Sequence, residues 1–321
     1  MAALLPRYQR PLSVGAVVSD AVDIFRRRWP TLVTIMLATI VPYFVLFVAG
    51  AALGLAAVLA IGTNGLEQTL RSPTTLISLG LGGFVLLVLF VVFQLAAEVA
   101  VIRVALAAMR GEQLGVRAAL GGGLPRLGSM LGAALLIFIY VLLLALVSLP
   151  LLVLSLLGLL TLVALVVWAA NPGARRPWLK WFIILTVPFG LVMYYGTRWA
   201  LYGPAIVGEH VSAAASLRRS AELIRGRWWW TFGALLAVGV ITSILQAIPG
   251  AILGAIVAIA LGASGAGSNA NVAGQVVQQA VNLVGWILFG SLAYVGATVL
   301  FVYLRNAGAE AAWSGATDAL D

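Results

Sequence analysis

SAAASLRRSAELIRGRWWW, residues 212–230, leads directly into an apolar run from 231 to 262. Wound as a helix, it puts Leu217, Ala221, Ile224 and Trp228 on one stripe and Arg218, Arg219, Glu222 and Arg225 on the opposite face. Ser212 stands at the N-cap position. A helix of this kind lies in the headgroup layer, with tryptophan at interface depth and arginine reaching phosphates. Four arginines beside a candidate span also fix which side of a bilayer the stretch occupies, because basic connectors stay in the cytoplasm.

The rest of the chain fits that reading. Of 321 residues, 63% are hydrophobic and only 9% charged, where soluble proteins carry about 25% charged residues. With a mean hydropathy of +1.10, too few polar side chains remain to coat a water-soluble surface. Zero cysteines exclude a disulfide scaffold and thiolate metal sites. A single histidine, His210, makes a histidine metal cluster or a Ser-His-Asp hydrolase hard to assemble. The expected class is all-α, a polytopic transmembrane helical bundle forming one domain over residues 1–321.

A helix crossing about 30 Å of hydrocarbon needs roughly 20 apolar residues. Runs of that kind lie at 31–61, 75–108, 129–149 with a continuation to 170, 179–206, 231–262 and 274–304. Breaks are expected from Gly62 to Thr75, at Asn171 to Pro177, and at Ser264 to Asn271. The stretch 129–170 is read as one span, bent or broken near Pro150. Six spans then place Arg7, Arg10, Arg26, Arg27, Arg28, Arg110, Arg117, Arg126, Arg218, Arg219, Arg225, Arg227 and Arg305 on one face. Arg71, Arg175, Arg176 and Lys180 fall on the other. A seventh span would export the Arg218–Arg227 cluster. The expectation is a multi-pass bacterial inner-membrane protein with both termini cytoplasmic. The net charge of +9 thus reflects topology, and no nucleic-acid partner is expected. The first thirty residues show no isolated apolar core with a cleavage site, so a cleavable signal is not expected.

The chain also resembles itself. Arg28, Arg126 and Arg227 are spaced by 98 and 101 residues. Ser13, Gly111 and Ser212 stand fifteen residues before them, and Glu112, Glu209 and Glu310 stand 83 or 84 after. Units near 12–112, 113–210 and 211–310 would each hold an interfacial helix and a helical hairpin, related by a threefold axis along the membrane normal. In the first unit Val14, Val17, Val18, Ala21 and Phe25 would face the membrane, with Asp20, Asp23 and Arg27 opposite. Gly121, Gly122, Gly123 and Pro125 predict a short or broken helix in the second. Arg28, Trp29, Arg126, Arg227 and Trp228 are the candidate anchors to anionic phospholipid headgroups.

At these residues the chain resembles a known family. Pro11-Leu12-Ser13-Val14-Gly15 with Phe25-Arg26-Arg27-Arg28-Trp29 is similar to the opening of the membrane domain appended to some bacterial glycerophosphodiester phosphodiesterases. Ser216-Leu217-Arg218-Arg219-Ser220 and Arg225-Gly226-Arg227-Trp228-Trp229 are similar to a later segment of that domain and of its stand-alone relatives. The resemblance implies a six-helix integral membrane protein of unassigned role. The catalytic barrel is absent from these residues, so diesterase activity is not implied.

Ionisable groups deep in hydrocarbon are costly and mark candidate sites. Glu98 lies 12 residues before Arg110, about 18 Å along a helix, and Arg198 lies 11 before Glu209. They are expected to pair between the second and fourth spans, as a structural ion pair or as a proton, anion or headgroup relay. Arg103 should snorkel to the interface. Gln94 and Gln246 suit interhelical hydrogen bonds, and Gly80, Gly82 and Gly83 suit close helix packing. Trp228, Trp229 and Trp230 suit an aromatic belt. No catalytic residue, cofactor or metal site is expected. The leading function is an interaction, scaffold or lipid-organising component, with the bilayer and a membrane protein as partners. The alternatives are a transporter along the repeat axis, lined by Glu98 or Arg198, and a lipid-modifying enzyme using Glu209 and His210.

Overall fold

The computed structural model describes residues 13–143, 190–263 and 269–317, and these are helical with no strand among them. The elements in chain order are α1 (Val14–Arg71), α2 (Pro73–Met109), α3 (Val116–Gly121), α4 (Leu124–Leu143) and α5 (190–199). Then follow α6 (Tyr202–Glu209), α7 (Ala213–Ile224), α8 (Trp228–Ala263), α9 (Asn269–Phe289) and α10 (Ser291–Thr317). Five stretches among the described residues are long and apolar enough to cross a membrane: Val14–Gly50, Pro73–Met109, Leu124–Leu143, Trp228–Ile256 and Val281–Ala307. The chain is a multi-pass helical bundle.

Helix α1 departs from expectation at both ends. Its first turns continue straight into the span, through Pro30 and Pro42, as one 58-residue helix of roughly 87 Å. Ser13 Oγ accepts from the Ala16 amide at 3.1 Å and caps it. Asp20, expected on a solvated face, is buried and accepts from the Tyr303 hydroxyl at 2.7 Å. The expected break from Gly62 to Thr75 shrinks to the single residue Ser72, whose Oγ accepts from the Thr75 amide. The helix runs through Gly62-Thr63-Asn64-Gly65 without a turn, beyond the candidate span that ends at Gly50. The stretch 144–189, with the expected bend at Pro150 and the break at 171–177, lies outside the described residues, as does 264–268; α9 already starts at Asn269.

Packing is concentrated at one end of the bundle. The fully buried side chains include Leu32, Ile35 and Met36 of α1, Ile102 and Met109 of α2, Met130 of α4, Leu201 and Ile206 of α6, and Phe301 of α10. Beyond that end the helices expose apolar residues such as Phe44, Ile77, Phe138 and Ile259, as lipid-facing surfaces do. Gly80, Gly82 and Gly83 belong to this outer region. A Cβ on any of them would meet nothing within 4 Å, so they do not mediate the close packing expected of them. Close approaches occur at Gly285 against the Gln246 carbonyl and at Gly296 against Val238, drawing α9 and α10 onto α8.

Helices α2, α6 and α10 all touch one another. The short helices α3 and α7 dock on α2 and α6, and α1 docks on α10 as well as on α2. The ring is closed.

Candidate functional site

Among the described residues, one group of polar side chains lies where α2, α6 and α10 meet and another at the arginine-rich end just beyond. Glu98 points between α2 and α6, and its Oε2 accepts from the Tyr202 hydroxyl at 3.3 Å. Gly203 leaves the room for this. A Cβ there would stand 2.6 Å from Glu98 Oε1 and 3.1 Å from Ile102 Cδ1. Tyr294 of α10 is close enough for its hydroxyl to feel the same carboxyl.

Arg198 is not the partner of Glu98. Its Nη1 donates to the Tyr194 hydroxyl at 3.2 Å, and its guanidinium carbon lies 5.9 Å from the centroid of that ring. The expected pair fails because residues 190–209 are not one continuous helix. A turn at Ala200 and Leu201 separates α5 from α6 and breaks the helical phase that relates Arg198 to residue 202. The space shared by Glu98 and Gly203 is filled by Ile102 and Met130, both fully buried.

That turn is held by α7. Ser220 Oγ donates to the Arg198 carbonyl at 2.8 Å and accepts from the Leu201 amide at 3.2 Å. Arg219 grips Glu209 with two bonds, Nε to Oε2 at 2.8 Å and Nη2 to Oε1 at 3.1 Å. The bond to Glu209 raises the Arg219 pKa against the opposing effect of burial. The buried face of α7 is therefore Ser216, Ser220 and Ile224, narrower and more polar than the expected stripe of Leu217, Ala221, Ile224 and Trp228. Ser212 occupies the N-cap position, but its side chain makes no capping bond. His210 closes α6 in the left-handed region, φ 60°. Glu209 through its side chain and His210 through its backbone thus both serve the α6–α7 corner.

Two further arginines tie one element to another. Arg103, expected to snorkel, donates from Nη1 to the Ala118 and Ala119 carbonyls, each at 2.8 Å. It satisfies the last turn of α3, the short helix anticipated in the second unit. Arg28 Nη2 donates to the Glu112 carbonyl at 3.0 Å. Arg305 stacks 5.8 Å from the Phe301 ring and lies within electrostatic reach of Glu209, Arg110 and Arg219.

Of the other anchors, Trp29 is exposed, while Arg126 and Arg227 are half-buried. Trp228 is half-buried too. It donates from Nε1 to the Tyr194 carbonyl at 3.2 Å and stacks on Tyr194 and Phe232. Trp229 is 79% exposed, so the three tryptophans do not act alike. Gln94 and Gln246 line one cleft of about 540 Å³ with Gln279, Asn282 and Trp286, between α1, α2, α8 and α9. Sequence reasoning missed Tyr194, Tyr202, Tyr294, Tyr303 and Ser220. The one available signal was that each tyrosine interrupts an apolar run where phenylalanine would do.

Comparison with family models, curated proteins and solved structures finds no match to this chain.

Proposed function

We propose that this chain is a six-span bacterial inner-membrane protein, with both termini cytoplasmic, that organises anionic lipids and partner proteins at its arginine-rich face rather than catalysing a reaction. The observation that carries the reading is the α7–α8 corner. It turns Arg218, Arg225 and Trp229 outward while Arg219 and Ser220 fix it to the bundle. A rigidly held cationic and aromatic edge is what binding to headgroups requires.

A cyclic threefold repeat supports the same reading. Eight residues before Arg28, Arg126 and Arg227 stand Asp20, Ala118 and Arg219. Each of the three is tied to the last helical segment of the preceding unit: Asp20 to Tyr303, Ala118 to Arg103, and Arg219 to Glu209. The motifs similar to the phosphodiesterase membrane domain fall at two of these corners, the start of α1 and the α7–α8 elbow. The permease alternative draws on another place, the carboxamide cleft. Glu98 is bound by the Tyr202 hydroxyl and otherwise lies against Ile102 and Met130.

The test is lipid carry-over. The protein, extracted in mild detergent and incubated with an equimolar mixture of phosphatidylglycerol and phosphatidylcholine, should retain phosphatidylglycerol preferentially and melt at a higher temperature with it. Equal retention of the two lipids would refute the lipid-organising role.

A further inference from the structure

We propose that the hollow between α5 and the α7–α8 elbow seats one phospholipid, its phosphate between Arg198 and Arg225 and an acyl chain laid along α8. The seat presupposes the lipid-organising role above and names the place where that role is exercised.

The headgroup end is a hollow of about 190 Å³ lined by Tyr194, Arg198, Ala221, Arg225, Gly226 and Trp228, among others. Two guanidinium groups line it, and among the described residues neither has a carboxylate within ion-pair distance. Glu222, the acid of α7, lies 3.8 Å from Arg218 and from Arg219 instead. Arg198 is held in place beforehand. Its carbonyl is bound by Ser220, and one of its N–H groups is directed at Tyr194. A guanidinium has five donors, so its fork keeps capacity for phosphate oxygens. Gly226, at φ +76°, makes the turn that brings Arg225 and the first turn of α8 to the same rim.

The chain end continues from it. Trp228 stacks on Tyr194 with centroids 5.8 Å apart and on Phe232 at 5.2 Å, so one aromatic wall runs from the hollow into a groove between α5 and α8. That groove has a volume of about 490 Å³ and is lined by Gly196, Phe232, Leu236, Gly239, Val240 and Ile244, among others. From Phe232 to Ile244 is about 18 Å of helix, close to the apolar thickness of one leaflet. The glycines form an open floor: a Cβ on Gly196 or Gly239 would meet nothing within 4 Å. A cationic hollow opening onto an apolar groove one leaflet long suits a molecule with a phosphate at one end and a hydrocarbon chain at the other.

Free phosphate shares the headgroup chemistry, so the experiment separates the two sources. Purified protein is titrated with long-chain phosphatidylglycerol or with inorganic phosphate, and bound species are counted by native mass spectrometry. Three forms are compared: wild type, Arg198→Gln/Arg225→Gln, and Gly239→Leu. A detergent melting curve of each form checks that it folds. Wild type should hold one tightly bound phosphatidylglycerol. The double variant should lose it by about tenfold or more in affinity, as removal of charge-assisted bonds does. Gly239→Leu, whose side chain enters open groove, should weaken phosphatidylglycerol but leave inorganic phosphate unaffected. Wild-type retention that survives unchanged in the folded double variant overturns the seat while leaving the lipid-organising role standing. Absence of retention by wild type overturns that role itself. If Gly239→Leu binds phosphatidylglycerol as wild type does, the phosphate site stands and the acyl groove is overturned. A double variant that does not fold is replaced by Arg198→Lys, which keeps the charge and loses the fork, and the same comparison decides.

Discussion

Glu98 and Gly203 share a space too small for one more methyl group. Gly203→Ala should therefore lower stability by about 1–3 kcal/mol, as overpacking does, and Glu98→Ala in the same chain should recover part of it. The pairing of Glu98 with Tyr202, and of Arg198 with Tyr194, gives a second expectation. Losses from Glu98→Gln and Arg198→Met should add within about 0.5 kcal/mol, since the two groups share no partner. Melting of the single and double variants in detergent measures both, and a strong coupling between Glu98 and Arg198 would contradict the geometry. That Glu98 sits within a span was legible, because a carboxyl in an apolar run stands out. Its partner was not, because two residues of turn at Ala200 and Leu201 change which face every later side chain presents. Asp20 shows the same limit: an amphipathic wheel assigns a polar residue to solvent and cannot foresee a tyrosine arriving from 283 residues away.

Among the elements, α7 carries the clearest contrast between position and bonding. Ser212 stands at its N-cap without a side-chain bond, whereas Ser220 makes two bonds to the α5–α6 turn. Ser212→Ala should be nearly neutral, while Ser220→Ala should cost about 1–3 kcal/mol by leaving buried backbone groups unsatisfied. Equal losses from the two would show that the α7 register is misplaced. The start of α7 and the brevity of α3 were legible from Ser212 and from the glycines at 121–123, which act locally. The run of α1 through Gly62–Gly65 was not, since Gly and Asn favour turns but do not forbid a helix, and a local propensity is a weak prior.

On the scale of the whole molecule, composition alone identified a helical membrane protein, because 63% hydrophobic residues leave no other surface. The count of arginines set the proposed orientation, and the threefold spacing underlies the proposed repeat. The concentration of the core at one end was not legible. In lipid, apolar residues look the same whether they face a neighbouring helix or an acyl chain, and only the positions of Tyr303, Arg103 and Glu209 distinguish the packed end from the splayed one. The permease and scaffold readings likewise differ in how helices separate, which the apolar pattern does not encode.

The native chain has no cysteine, so single substitutions report topology without background. Ser13→Cys, Ala214→Cys and Thr74→Cys, all at exposed positions, are treated in intact cells with a membrane-impermeant maleimide. Labelling of Thr74→Cys alone, with the other two reacting only after permeabilisation, is the predicted result for an arginine-rich face turned inward. Labelling of Ala214→Cys from outside while Ser13→Cys stays protected would place α7 beyond the membrane and contradict the six-span account.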